Sequence, residues 1–208
     1  MFNKSFSILS VLKLTLIIFL VLLLLSVVVD SLVVELKLGL TIKNIIILVI
    51  SQFVFFVSSL FILWSNGQKF KKIYSNKNCN ILMVLLLIII AISFQLVASE
   101  LERITSSIFG KNIEYYKQFT NIILFPGTKG LVLSIIVIAI LPAICEEILF
   151  RYIFQKGLVI RYGRKYGILI TSLLFALIHF NINYVLPIFI LSIVLGYIND
   201  ITDSMVYN

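Results

Sequence analysis

The sequence predicts an all-α fold, a polytopic integral membrane bundle of about six transmembrane helices, and three observations carry that prediction. Hydrophobic residues make up 61% of the 208 positions against 12% charged, the mean hydropathy is +1.15, and apolar runs long enough to cross a bilayer core recur along the chain. A hydrocarbon layer of roughly 30 Å requires about 20 apolar residues of a helix rising about 1.5 Å per residue.

The runs fall at about 7–29, 42–64, 80–98, 130–154, 166–180 and 184–199. The first begins among Lys4 and Lys13 and so resembles a secretory signal, but it continues through Leu22, Leu23, Leu24 and Leu25 to Val29. That exceeds a signal's apolar core of about 7–15 residues, so it is read as a retained helix. The second, with QFVFFVSSLF, is apolar all round and reads as packing. After it come Lys69, Lys71, Lys72 and Lys77 without an acid, and after the fourth come Lys156, Arg161, Arg164 and Lys165, again without one. Basic short loops favour the cytoplasm, which places the N-terminus inside and, with six spans, the C-terminus inside too. The protein is thus expected in the cell membrane as a multi-pass chain with the lipid bilayer as its first partner.

Residues 99–121 are the one extended polar region, with Phe109, Tyr115, Tyr116 and Phe119 among charges, and predict an interfacial amphipathic helix. The division expected is 1–125 for N-terminal transmembrane helices with this polar segment, and 126–208 for a functional core. A net charge of +8 is dispersed over membrane loops, which suits topology and anionic lipid and points to no nucleic-acid partner. Cys79 and Cys145 lie at or within spans and imply no disulfide framework.

Chemistry concentrates in the fourth span, GLVLSIIVIAILPAICEEILFRYIFQKGL. Glu147 and Arg151 stand four residues apart on one helix face and predict an ion pair. Glu146 is turned about 100° away by the helical pitch. With fewer partners in a low-dielectric setting, it has the profile of a general base. Pro142, four residues earlier, deletes a backbone hydrogen bond and is expected to kink the helix and open space. His179, the chain's single histidine, closes the next apolar run with Phe175 one turn before it. A carboxylate and an imidazole on neighbouring helices can polarise a water together, directly or through a metal ion such as zinc. Gly196 and Ala176 read as points of close helix contact. Asn181 and Asn183 read as donors to a peptide carbonyl or as the end of a helix.

The strings EEILFRYIFQKGL, from Glu146 to Leu158, and RYGRKYGILITSLLFALIH, from Arg161 to His179, resemble the CPBP intramembrane protease family (Abi), which includes CAAX prenyl protease 2 and lysostaphin-resistance-A-like proteins. The family's EExxxR matches Glu146, Glu147 and Arg151, and its FxxxH matches Phe175 and His179; the likeness covers roughly 130–208. It implies a metal-dependent membrane endopeptidase in which Glu146 and His179 activate water. Glu147, Arg151 and Phe175 would support them, and a divalent metal, zinc by ligand type, would sit on Glu146 and His179. It also implies a peptide or membrane-protein substrate.

The family continues past a TGSL-like turn into a helix carrying HxxxN or HxxxD. Thr202, Asp203 and Ser204 look like that turn with Asp203 in the glycine position, and the sequence given ends at Asn208. The expectation is therefore a protease core lacking its final helix. Beside it stand a non-catalytic peptide-binding or bacteriocin-immunity protein, and a small helical transporter or membrane partner subunit. No oligomeric state follows from the motifs. With these boundaries Glu146 falls toward the inner end of its span and His179 toward the outer end of the next, which separates them in depth.

Overall fold

The computed structural model describes residues 5–68, 81–111 and 127–203, and among these the regular structure is entirely helical. Six helices follow one another. They are α1 (Ile8–Glu35), α2 (Leu40–Ser65), α3 (Ile81–Phe109), α4, α5 (Arg164–Leu177) and α6 (Ile182–Thr202). α4 is one continuous rod made of Gly127–Ile135, Ile136–Ile140, Leu141–Glu147, Ile148–Gln155 and Lys156–Tyr162. Lipid offers no partner to backbone N–H and C=O groups, so a spanning chain must satisfy them internally, and the long Leu- and Ile-rich runs do so as helices. Their outer faces remain apolar: Leu24, Ile92 and Leu96 are exposed on α1 and α3.

Five of these helices are long and apolar enough to cross a membrane. α5 is the exception to the six-span expectation. Its 14 residues rise about 21 Å, short of a hydrocarbon layer of roughly 30 Å. Phe180, just beyond it, stacks on Phe19 of α1 at 4.3 Å between ring centroids. Since Phe19 lies partway along the 28-residue α1, the α5–α6 turn ends inside the depth that α1 spans. Phe180 takes a left-handed backbone conformation there, φ 49°, which a bulky residue adopts only when its surroundings hold it.

One end of the bundle collects the start of α1, the α4–α5 turn and the end of α6. The Phe6 amide donates to the Gly157 carbonyl at 3.0 Å, and the Ile8 amide donates to the Tyr162 hydroxyl at 3.2 Å. Lys156 pairs with Asp203 at 2.6 Å, and Arg164 pairs with Asp200. At the other end of the α1–α2 pair, Lys43 bridges to Asp30 at 2.6 Å. Both described ends of the chain therefore lie at the same end of the bundle.

The polar segment expected at 99–121 divides. Residues 99–109 continue α3, and residues 112–121 lie outside the described residues, as do the basic loop 69–80 and Cys79. α3 docks on α6 through polar contacts: the Thr105 hydroxyl donates to the Asn183 carbonyl at 2.7 Å, and Asn183 Nδ2 donates to the Gly110 carbonyl at 3.0 Å.

α4 and α5 form a tight hairpin about Gly163, whose φ 82° and ψ 166° lie in a region almost confined to glycine. Gly167 then allows contact with the backbone of Val159, since a Cβ there would come within 2.7 Å of the Val159 nitrogen. This hairpin corrects the depth separation expected from the sequence. α4 runs on to Tyr162, eight residues past the boundary read at 154, so Glu146 sits near mid-helix. It precedes Gly163 by seventeen residues and His179 follows by sixteen, so an antiparallel hairpin brings the two to one level. Gly163→Ala should cost about 1–3 kcal/mol through strained backbone, read as a lowered melting temperature of the purified protein in detergent.

Candidate active site

α4 does not wind uniformly. Two stretches are π-helical, Ile136–Ile140 and Ile148–Gln155, on either side of α-helical Leu141–Glu147. Pro142 has no N–H to donate and stands at the first junction. Such widened turns collect at functional sites. Opposite the junction lies a cavity of about 280 Å³ between Leu141, Ile144 and Cys145 of α4 and Val49, Gln52, Phe53 and Phe56 of α2. The cavity is lined by Leu141, the residue before Pro142, and by Ile144 and Cys145 one turn on, and not by Pro142 itself.

Arg151 anchors the site, with 0% of its surface exposed. A guanidinium in that position must be paired. Its Nε faces Glu147 Oε1 at 3.5 Å, its Nη2 donates to the Ser192 hydroxyl of α6 at 3.0 Å, and its Cζ lies 5.1 Å from the centre of the Phe175 ring of α5. One cation thus joins three helices. Phe175 packs edge to face on Phe150 at 5.1 Å and on His179 at 4.9 Å, so it forms the wall between the ion pair and the histidine.

Glu146 points elsewhere, as the helical pitch predicts. Its Oε1 accepts from Gln52 Nε2 of α2 at 3.0 Å, and His179, Glu147 and Arg151 all lie within electrostatic reach of it. His179 Nδ1 stands 2.8 Å from the Phe175 carbonyl. A carbonyl only accepts, so Nδ1 carries a proton, and Nε2 is the ring nitrogen left for another partner. His179 is exposed, and its turn is flanked by an apolar cavity of about 490 Å³ whose walls include Leu16, Phe19, Leu177 and Ile178.

Glu146 and His179 offer two metal ligands. Zinc takes at least three from protein, and among the described residues no group of three His, Cys, Asp or Glu side chains could hold an ion. The described residues alone do not make the zinc site that the resemblance implies.

Several contacts were not anticipated from the sequence. Gln52 and Ser192 reach the site from helices that read as packing, and their only signal was a polar side chain inside an apolar run. Asn181 begins a helix: its side chain accepts from the Asn183 amide at 3.2 Å and caps α6. Gly196 does mark close contact, since a Cβ there would meet Ile168 and Gln155 within 3.0 Å. Asp203 in the glycine position of the TGSL-like turn is left-handed, φ 48°, the conformation glycine ordinarily supplies at a helix end.

The helical bundle turns the EExxxR and FxxxH stretches toward each other across the α4–α5 hairpin, with Arg151 against the Phe175 ring and that ring against His179. In the comparison with known families, residues 128–208 match the family described as type II CAAX prenyl endopeptidase Rce1-like. No curated protein and no solved structure matches the chain.

Arg151→Met leaves Glu147 buried without its cation and should destabilise the protein by about 3–5 kcal/mol. The double variant Arg151→Met with Glu147→Leu should recover most of that loss. Thermal unfolding of both in one detergent makes the comparison.

Proposed function

We propose that this chain is an endopeptidase acting within the membrane, with Glu146 as general base and His179 as its partner in holding the attacking water. The observation that carries the reading is the pairing of a glutamate not tied up by the arginine with an imidazole at the same depth, its Nδ1 already committed to Phe175. A water between them donates one hydrogen to His179 Nε2 and the other to the carboxylate of Glu146. As the water oxygen attacks the scissile carbonyl carbon, its proton passes to Glu146. When the tetrahedral intermediate collapses and the C–N bond breaks, Glu146 returns that proton to the leaving amine. Proton transfer of this kind contributes about 10²–10⁴-fold to rate.

The substrate class is a peptide or membrane-protein segment, and the apolar cavity beside the His179 turn suits an apolar residue brought in from the bilayer. The end of the bundle carrying Lys156, Arg161, Arg164 and Lys165 is placed at the cytoplasmic face, since basic residues favour that side.

The test is cleavage of a peptide library by the chain in membranes, beside Glu146→Gln, His179→Ala and the chain continued through the reading frame after Asn208. Cleavage that falls at least about 10²-fold in both variants is the expected result. Peptide binding without cleavage in every form would replace the enzyme with a peptide-binding or immunity protein.

A further inference from the structure

Gln52 stands outside the family-matched segment, on α2, and nothing in the motifs assigns it a role. It is 4% exposed, and its one hydrogen bond among the described residues runs from Nε2 to Glu146 Oε1 at 3.0 Å. A carboxylate oxygen only accepts, so the orientation of the amide is dictated. Turned that way, Gln52 Oε1 is buried with no donor among the described residues. Leaving a buried carbonyl unmet is unfavourable and calls for an explanation. The explanation lies across the site. Arg151 is close enough to act electrostatically on Glu146, and its Nη1 is also buried without a hydrogen-bond partner among the described residues. A freely turning Glu146 would be drawn to that donor, and a carboxylate held in a charge-assisted pair with arginine is a poor base.

We propose that Gln52 is a positioning residue that holds Glu146 out of an ion pair with Arg151, pinning Oε1 so that the second oxygen remains open to water. This rests on Glu146 being the base of a proteolytic site. On that footing, three otherwise unrelated facts have one cause. The buried amide in the middle of an apolar helix, its unmet carbonyl and the separation of the adjacent glutamates onto different partners all follow from keeping one carboxylate away from the arginine.

The experiment measures kcat and KM separately for peptide cleavage by wild type, Gln52→Leu, Gln52→His and Asn44→Leu. Asn44 is another buried polar residue of α2, eight residues before Gln52 and so about 12 Å along the helix from it, and serves as the control. Gln52→Leu should lose on the order of 10²-fold in kcat, the penalty expected of a misplaced reacting group, with KM nearly unchanged. Gln52→His keeps an N–H donor and should recover much of the rate, while Asn44→Leu should match wild type. Should Gln52→Leu fail to fold, Gln52→Met supplies an unbranched apolar side chain of similar length. A wild-type chain that cleaves while Gln52→Leu keeps its kcat, or raises KM alone, overturns the positioning role and leaves the proteolytic reading standing. A failure of Gln52→His to recover more than Gln52→Leu also overturns it. Wild type without cleavage overturns both.

Discussion

The fully buried guanidinium of Arg151 constrains everything around it. An unpaired cation in a low-dielectric interior is unfavourable by several kcal/mol, so the chain must bring it an anion, a polar acceptor and a polarisable surface. It takes Glu147 from its own helix, Ser192 from α6 and the Phe175 ring from α5. Because those partners come from three elements, satisfying the charge fixes the mutual placement of the helices. The EExxxR and FxxxH motifs meet in space because a single residue of the first needs a ring from the second.

That placement works only if the two helices share a depth, and the turn between them decides this. Gly163 reverses the chain in one residue, and Gly167 lets the two rods touch backbone to side chain. The hairpin then maps positions counted backward from Gly163 onto positions counted forward, which is why Glu146 and His179 arrive together. Short as it is, α5 is long enough to carry His179 to that level and ends there. α6 starts within a few residues under an Asn181 cap. A longer α5 would lift the histidine past the carboxylate.

The sequence made the site legible where chemistry demanded unusual residues in an apolar background. Glu146, Glu147, Arg151, Phe175 and His179 stood out because charged or imidazole groups at membrane depth are rarely idle. The ion pair and the outward turn of Glu146 followed from helical pitch, and both are found. What escaped was depth and partnership. A helix boundary drawn where hydropathy fell placed the end of α4 at 154, yet the rod runs to Tyr162, because Tyr152, Gln155 and Lys156 find polar partners or aromatic contact inside the protein. Hydropathy reads solvent preference and cannot see a partner supplied by α6. The same blindness hid Gln52 and Ser192, since one amide or hydroxyl hardly lowers the average of an apolar run.

Two chemically identical neighbours end with different partners, and no local property of the residues separates them. Adjacent glutamates share a backbone, a dielectric and a nearby cation. The helical pitch turns one toward Arg151 and the other toward α2. Pitch alone sets direction but not restraint, because a glutamate side chain is long enough to swing back toward a nearby cation. The restraint comes from outside the motif, in a hydrogen bond donated by a helix that the family likeness does not cover. The proposed site is therefore complete only within its bundle: α4 supplies the carboxylate offered as base, and the α2 amide is what holds it away from the arginine.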